Sequence, residues 1–280
     1  QMSLVLLVTM ILRNLSSALV RDKSLHSDAR DGFAVGAGSY DRGRPGYPSV
    51  LLESLATTLG ISADSNVVDL GAGTGKLTKL LLPYTGVVAI EPVEAMRSIL
   101  RQSCPEAHVL EGTAEFMPIA DGSADVVVVA QAFHRFSTTA ALHEIHRVLA
   151  PNGKLALVWN LRDETVDWVA QLMDTIRPYE GDTPRYTSGR WRSIFKDQRL
   201  FQMETHQTWQ HSEQKTIDDV LAHVSSISYI SSIEPSRQLL ILATIQQQLK
   251  SAHPSGSLAF PYRSDLWCFS RCDIVDDQNI

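Results

Sequence analysis

The sequence predicts an α/β protein built on a doubly wound, mainly parallel sheet. Three observations carry that prediction. Short apolar, β-branched runs recur at residues 67–70, 87–91, 125–130 and 154–159. Segments with apolar residues at helical spacing lie between them, and short glycine- or proline-bearing turns join one to the next. Strands alternating with helices across short turns imply parallel strands with right-handed crossovers.

The elements follow in order. Residues 49–59 read as a helix, 67–70 as the first strand and 76–82 as the helix after it. A strand at 87–91, a helix at 92–101 and a strand at 108–110 come next. Residues 125–130 form an apolar run with an acid at its start, the pattern of the most buried strand of a parallel sheet. Ala141, Leu142, Ile145, Val148 and Leu149 give 138–149 a helical stripe; Pro151-Asn152-Gly153 is a turn before the fifth strand at 154–159. Beyond Asn160 the pattern changes. A helix at 163–179 is broken at Glu180-Gly181-Asp182-Thr183-Pro184, a strand occupies 201–208, and helices span 216–230 and 235–250. A last strand at 264–271 follows Pro261. The inserted helices around 163–250 would cap the sheet edge where strand carboxyl ends meet a crevice.

The bulk numbers narrow the function classes. A chain of 280 residues can bury the core of one large domain. A net charge of −6 with no long basic run argues against a nucleic-acid backbone as partner. The three cysteines, Cys104, Cys268 and Cys272, form neither an even disulfide framework nor a CxxC pair. They read as reduced thiols of a cytoplasmic protein, the last two flanking a strand. Residues 1–38 read as a partly apolar N-terminal extension, and 39–280 as the functional domain. The apolar stretch 2–20 is interrupted by Arg13, is short for a membrane span and lacks a basic leader, so a packed helix or an imprecise start region is the preferred reading over an anchor. Nothing in the sequence sets the oligomeric state.

The most informative segment is Val67-Val68-Asp69-Leu70-Gly71-Ala72-Gly73-Thr74-Gly75. A glycine-lined turn from strand to helix lets a bulky polar ligand lie against bare backbone. Its spacing excludes two common designs. A phosphate-binding GxxxxGK[ST] loop would need glycine at Leu70 and a hydroxyl at Leu77, and in a GxGxxG dinucleotide turn the third glycine falls one residue later. What remains is D-x-G-x-G-x-G. Glu91, at the end of the next strand and about twenty residues on, stands where an acid can take two ribose hydroxyls; the plainer alternative is a surface acid before Pro92.

That turn resembles motif I of the class I S-adenosylmethionine (SAM) dependent methyltransferases. Other segments are similar to the type 11 family, and to its trans-aconitate methyltransferase-like subgroup. They are Ser39-Tyr40-Asp41-Arg42-Gly43-Arg44-Pro45-Gly46-Tyr47-Pro48, Glu91-Pro92-Val93-Glu94-Ala95-Met96, Glu111-Gly112-Thr113-Ala114-Glu115, Ala130-Gln131-Ala132-Phe133-His134-Arg135-Phe136, the stretch from Leu155 to Glu164, and Pro261-Tyr262-Arg263-Ser264-Asp265. The resemblance implies a Rossmann-like sheet of seven strands, the last antiparallel, under a helical cap. It implies SAM as cofactor, S-adenosylhomocysteine as product and a small-molecule methyl acceptor, with O- or carboxyl-methylation favoured. The cofactor residues it implies are Asp69, Gly71, Ala72, Gly73, Glu91, Met96, Thr113, Ala114, Glu115 and Gln131. Arg135 departs from the aromatic common at its position, and Thr113 from an aspartate.

Methyl transfer from a sulfonium needs alignment and exclusion of water, and no metal. His134 is the candidate base or positioning group; its plainer reading is a histidine that holds the loop. Tyr40, Arg44, Phe133, Arg135, Trp159 and Asn160 are candidate acceptor-binding residues, Trp159 equally a core residue. His143 and His146 flank Glu144 without the HExxH spacing and read as a polar face. Two other functions fit the same fold: SAM binding without transfer, and a SAM-assisted cyclase or isomerase.

Overall fold

Four consecutive valines, Val126 to Val129, are each at most 2 % exposed, and they explain the architecture. A strand apolar at every position must be covered on both faces. Val127 and Val129 pack with Val68, Leu155 and Leu157 on one face, and Val126 and Val128 with Val67, Ala156 and Val158 on the other. Each such side chain contributes about 1.5–3 kcal/mol on burial. The computed structural model describes residues 46–181, 184–196 and 198–273. The predicted extension 1–38, and with it Tyr40 and Arg44, lies outside the described residues.

The sheet has seven strands: β1 (Val67–Leu70), β2 (Val87–Ile90), β3 (His108–Leu110), β4 (Ala124–Ala130), β5 (Leu149–Arg162), β6 (Phe201–Thr216) and β7 (Ser257–Arg271). Their order is β3-β2-β1-β4-β5-β7-β6. β1 to β5 run parallel to one another, and β7 runs antiparallel to both β5 and β6. The expected doubly wound sheet with an antiparallel final strand is the observed one. Helices α1 (Ser49–Leu59) and α2 (Lys76–Leu81) cover one face; α4 (Thr139–Val148) covers the other. α3 (Glu94–Ser103) packs Leu100 against Ala89. The order reverses at β1 and β4, so the crevice opens above their carboxyl ends.

The C-terminal third departs from the predicted boundaries. β6 runs 16 residues and β7 runs 15. Pairing with β5 stops at Arg162↔Tyr262, while β6 and β7 continue to Thr216↔Ser257 as a two-stranded arm. The sequence started the last strand at Ser264, after Pro261, yet the proline stands inside it. The Pro261 carbonyl accepts the Asp163 N–H at 3.1 Å, so its nitrogen faces the same side, past the β5 ladder, where no donor is required. The arm buries Leu258, Phe260 and Tyr262 against α5 (Asp167–Ile176), α6 (Ile217–Ser225) and α8 (Pro235–Ala252). The cap is therefore helices laid on a strand extension. The 163–179 stretch is helical only as α5 plus a 3-10 turn at Arg177–Tyr179, and 216–230 divides into α6 and α7 (Ser228–Ser231). α6 starts where a capping box forms: Asp219 N–H donates to Thr216 Oγ1 at 3.1 Å, and Thr216 N–H to the Asp219 carboxylate at 2.8 Å.

Three smaller expectations are corrected. Pro151-Asn152-Gly153 is a bulge inside β5, with Asn152 at φ 63° and the register stepping from Leu149 to Lys154. Cys268 lies within β7 opposite Ala156, not at its flank. His146 is buried, not on a polar face; its Nε2 lies 2.8 Å from the Cys272 carbonyl, and burial lowers its pKa.

Candidate active site

β1 delivers the chain into the glycine turn at the centre of the crevice. Gly71, Gly73 and Gly75 have φ of 72°, 59° and 92°, a region that favours glycine. The Gly71 and Ala72 N–H groups donate to the Ile90 carbonyl at 2.8 and 3.2 Å, which ties the turn to β2. A Cβ on Gly71 would lie 3.1 Å from the Ala132 Cβ, so the turn and the loop after β4 are in close contact.

A cleft lies beside the turn, about 690 Å³ with its open mouth included. Gly71, Gly73, Glu91, Met96, Gln131 and Arg135 line it, and Thr113, Ala114 and Glu115 form another wall. The chain thus brings together eight of the ten cofactor residues implied by resemblance. Pro92, Val93, Ala130, Ala132 and Phe136 also face the cleft; they lie inside the quoted motifs but were not singled out.

Glu91 is built as an acceptor pair. One carboxylate oxygen takes the Gly73 N–H at 3.0 Å and the other takes the Val93 N–H at 2.9 Å. Each oxygen keeps a lone pair, which suits two adjacent ribose hydroxyls. Burial raises its pKa, opposed by those two N–H groups and by the charges of Arg97 and Arg135. The carboxylate and the cleft therefore fit the cofactor implied by the family resemblance.

Asp69 and Ala72 sit elsewhere. Ala72 packs toward Ala89, Leu100 and Cys104. Asp69 is 1 % exposed behind the turn, accepting the Thr78 hydroxyl at 2.6 Å, and its other oxygen has no partner. Burial raises Asp69 from 3.8 to about 6, against the Thr78 hydrogen bonds, with nearby Glu91 adding to the rise. A carboxyl whose folded pKa is raised holds its proton more tightly in the native state. Stability is therefore greater below 3.8 and declines as pH rises from 3.8 toward about 6, by about 3 kcal/mol in total. Asp69→Asn keeps an acceptor for Thr78 and has no charge to bury. Thermal midpoints of the variant should lack this contribution to the decline and exceed wild type at pH 7.5 by several degrees; equal midpoints at both pH extremes would refute the assignment.

The candidate acceptor residues are dispersed. Arg135 lines the cleft. Phe133 is fully buried between Phe136, Trp191 and Phe195, and Trp159 is packed against Tyr186 and Trp191. Both are aromatic core, which corrects their assignment to an acceptor wall. The Trp159 indole N–H donates to His134 Nδ1 at 3.1 Å. An imidazole that accepts at Nδ1 carries its proton on Nε2, so taking a further proton would break the bond to Trp159. The geometry favours His134 as a holding group.

Asn160 is a junction. Its side-chain amide donates to the Gly46 carbonyl at 2.6 Å, its side-chain oxygen accepts the Ser264 hydroxyl, and its main-chain carbonyl accepts the Gln131 amide at 2.9 Å. Gln131 has φ 59°, a conformation rare outside glycine, worth about 1–3 kcal/mol of strain and concentrated at functional sites. The Gly46 N–H donates to Glu213 on β6 at 2.6 Å. The chain before α1 is thus clasped at Gly46 by β5 and the arm. Sequence reasoning also missed Arg97, a guanidinium on the buried face of α3 beside Met96 and Leu100. The available signal was an arginine three residues after Glu94 on an otherwise apolar stripe.

The comparisons agree with this geometry. Residues 68–157 match the methyltransferase domain family. An uncharacterized methyltransferase from Mycobacterium bovis is 36 % identical over 235 residues, covering 82 % of this chain and 91 % of the relative. An uncharacterized methyltransferase-like protein from Schizosaccharomyces pombe is 30 % identical over 221 residues, covering 78 % and 86 %. The crystal structure of YcgJ from Bacillus subtilis shares the fold with a TM-score of 0.53 at 19 % identity, covering 81 % of this chain and all of that one. Motif spacing, strand order and relatives aligned over most of their length converge: the chain belongs to the class I SAM-dependent methyltransferases.

Proposed function

We propose that this chain transfers the methyl group of SAM to an oxygen of a small molecule, a carboxylate in preference to a hydroxyl. The observation that carries the preference is the hydrogen bond from Trp159 to His134 Nδ1. It engages the lone pair a general base would use. A carboxylate is already anionic and needs no base, and the Arg135 guanidinium, which lines the cleft, supplies a matching charge. When bound, SAM supplies an electrophilic methyl on a sulfonium; attack by a carboxylate oxygen forms the C–O bond, and the electrons of the broken C–S bond go to sulfur with no proton to move. The chain contributes alignment and exclusion of water. Glu91 holds the ribose, Gly71 and Gly73 admit the cofactor close to the backbone, and Thr113, Ala114 and Met96 surround the adenine. Gln131, Arg135 and the clasp at Gly46 define the acceptor side.

The test is methyl-labelled SAM incubated with panels of small carboxylic acids and hydroxylated compounds. Methyl esters release labelled methanol in alkali and methyl ethers do not, so the product class is read directly. S-adenosylhomocysteine formation without any methylated product would sink the transfer reading, as would binding without turnover on every panel. His134→Gln, which can still accept the indole N–H, should keep kcat within about threefold. A general base would instead be worth about 10²–10⁴; a loss of that size, with the acidic limb of the pH–rate profile gone, would establish hydroxyl chemistry instead.

A further inference from the structure

We infer that Arg97 is the positioning residue of the nucleoside half of the cleft, locking the ribose acid to the start of the adenine loop; the inference rests on the SAM reading above. The Arg97 side chain is 5 % exposed. Its Nη1 donates to the main-chain carbonyl of Glu91 at 2.8 Å, its Nη2 to the Glu111 carboxylate at 3.1 Å and its Nε to Glu94 at 3.0 Å. One planar guanidinium therefore spans the residue that follows β2 and the residue that opens the 111–115 loop. Lysine, a single point donor, cannot reproduce that fork.

Stability alone does not account for this arrangement. Glu94 and Glu111 are 66 % and 64 % exposed, so water satisfies them without Arg97. Burying a guanidinium against exposed acids gains little net energy, and an apolar side chain of similar length would pack the same face of α3. Position is what the contact confers. The two walls meet along a thin seam: the Glu91 N–H reaches the Leu110 carbonyl at 3.2 Å, and a Cβ on Gly112 would fall 2.8 Å from Ile90 Cγ2. The Glu91 carbonyl held by Arg97 belongs to the residue whose carboxylate takes Gly73 and Val93. Loss of the guanidinium would let that residue and the adenine loop shift independently.

The test is calorimetric titration of wild type, Arg97→Met, Arg97→Lys and Glu111→Gln with two ligands. One is S-adenosylhomocysteine; the other is its analogue lacking both ribose hydroxyls. Wild type should prefer the complete ligand. Arg97→Met should bind it about tenfold more weakly and hold the analogue within about twofold, collapsing the preference; Arg97→Lys should recover part of it. Glu111→Gln changes an exposed carboxylate that lies outside the cleft lining, and keeps the fold testable if Arg97→Met is too unstable to titrate. It should lose about threefold on the complete ligand alone. Equal losses on both ligands would mean general loosening of the fold and would overturn the inference, as would unchanged affinities. Wild type that binds neither ligand would overturn the cofactor reading itself, a distinct result.

Discussion

Glu91→Ala should weaken S-adenosylhomocysteine binding about 100-fold, roughly 3 kcal/mol, with only a small change in thermal midpoint. The carboxylate has one N–H on each oxygen, from Gly73 and Val93, and a lone pair on each for a hydroxyl. Glutamine is expected to be nearly as poor. Its amide nitrogen would face one of those two backbone donors, and a donor against a donor repels. The pH dependence follows from the same geometry. Burial raises the pKa of Glu91, and the ionised form is the one that accepts hydroxyls. Wild-type affinity should fall as pH is lowered through that raised value and level off above it. Titration calorimetry across pH 4.5–8 checks both; an Ala variant with wild-type affinity would remove Glu91 from the site.

Gly75→Ala should destabilise the protein by about 3 kcal/mol. Gly75 has φ 92°, and its new Cβ would lie 2.3 Å from Leu100 Cδ1 and 3.1 Å from Cys104 Sγ. Leu100 is fully buried against Ala89, so it has no open space to move into. Strain and overpacking add. Chemical denaturation should show a lowered midpoint with an unchanged slope. Gly73→Ala is the control: its Cβ would meet only Met96 Sδ, at 3.9 Å. That variant should carry backbone strain alone and lose less stability, though its methyl points at the cofactor wall. Equal stability losses at the two positions would show that packing against α3 plays no part.

The N-terminal half of the fold was legible because its signals are local. The glycine turn, the acid after β2 and the β-branched run of β4 each rest on a few adjacent residues, and α1 and β3 fall on their predicted boundaries. The C-terminal third was harder. β6 alternates polar residues along an exposed edge, with no apolar run to mark it, and Pro261 is a breaker by sequence but an accommodated residue by position. The cleft lining was readable for a similar reason: eight of the ten residues implied by the resemblance line it, all in short motifs. The acceptor side was not. Phe133 and Trp159 were placed there by motif, yet Trp191 and Tyr186, far along the chain, enclose them in the core.

By itself the sequence determined the sheet class, the resemblance of the glycine turn to a SAM-binding motif, and the acid that follows the next strand. Those depend on residues within one strand–turn–helix unit and its neighbour, where spacing along the chain fixes spacing in space. Only the tertiary structure decided that Asp69 stands behind the turn, that His134 is held by Trp159, and that Asn160 joins Gln131 to Gly46. Each of the last two is a pairing between residues at least 25 positions apart. Such pairings are set by how β4, β5 and the β6–β7 arm stack side by side, and no local pattern encodes that register.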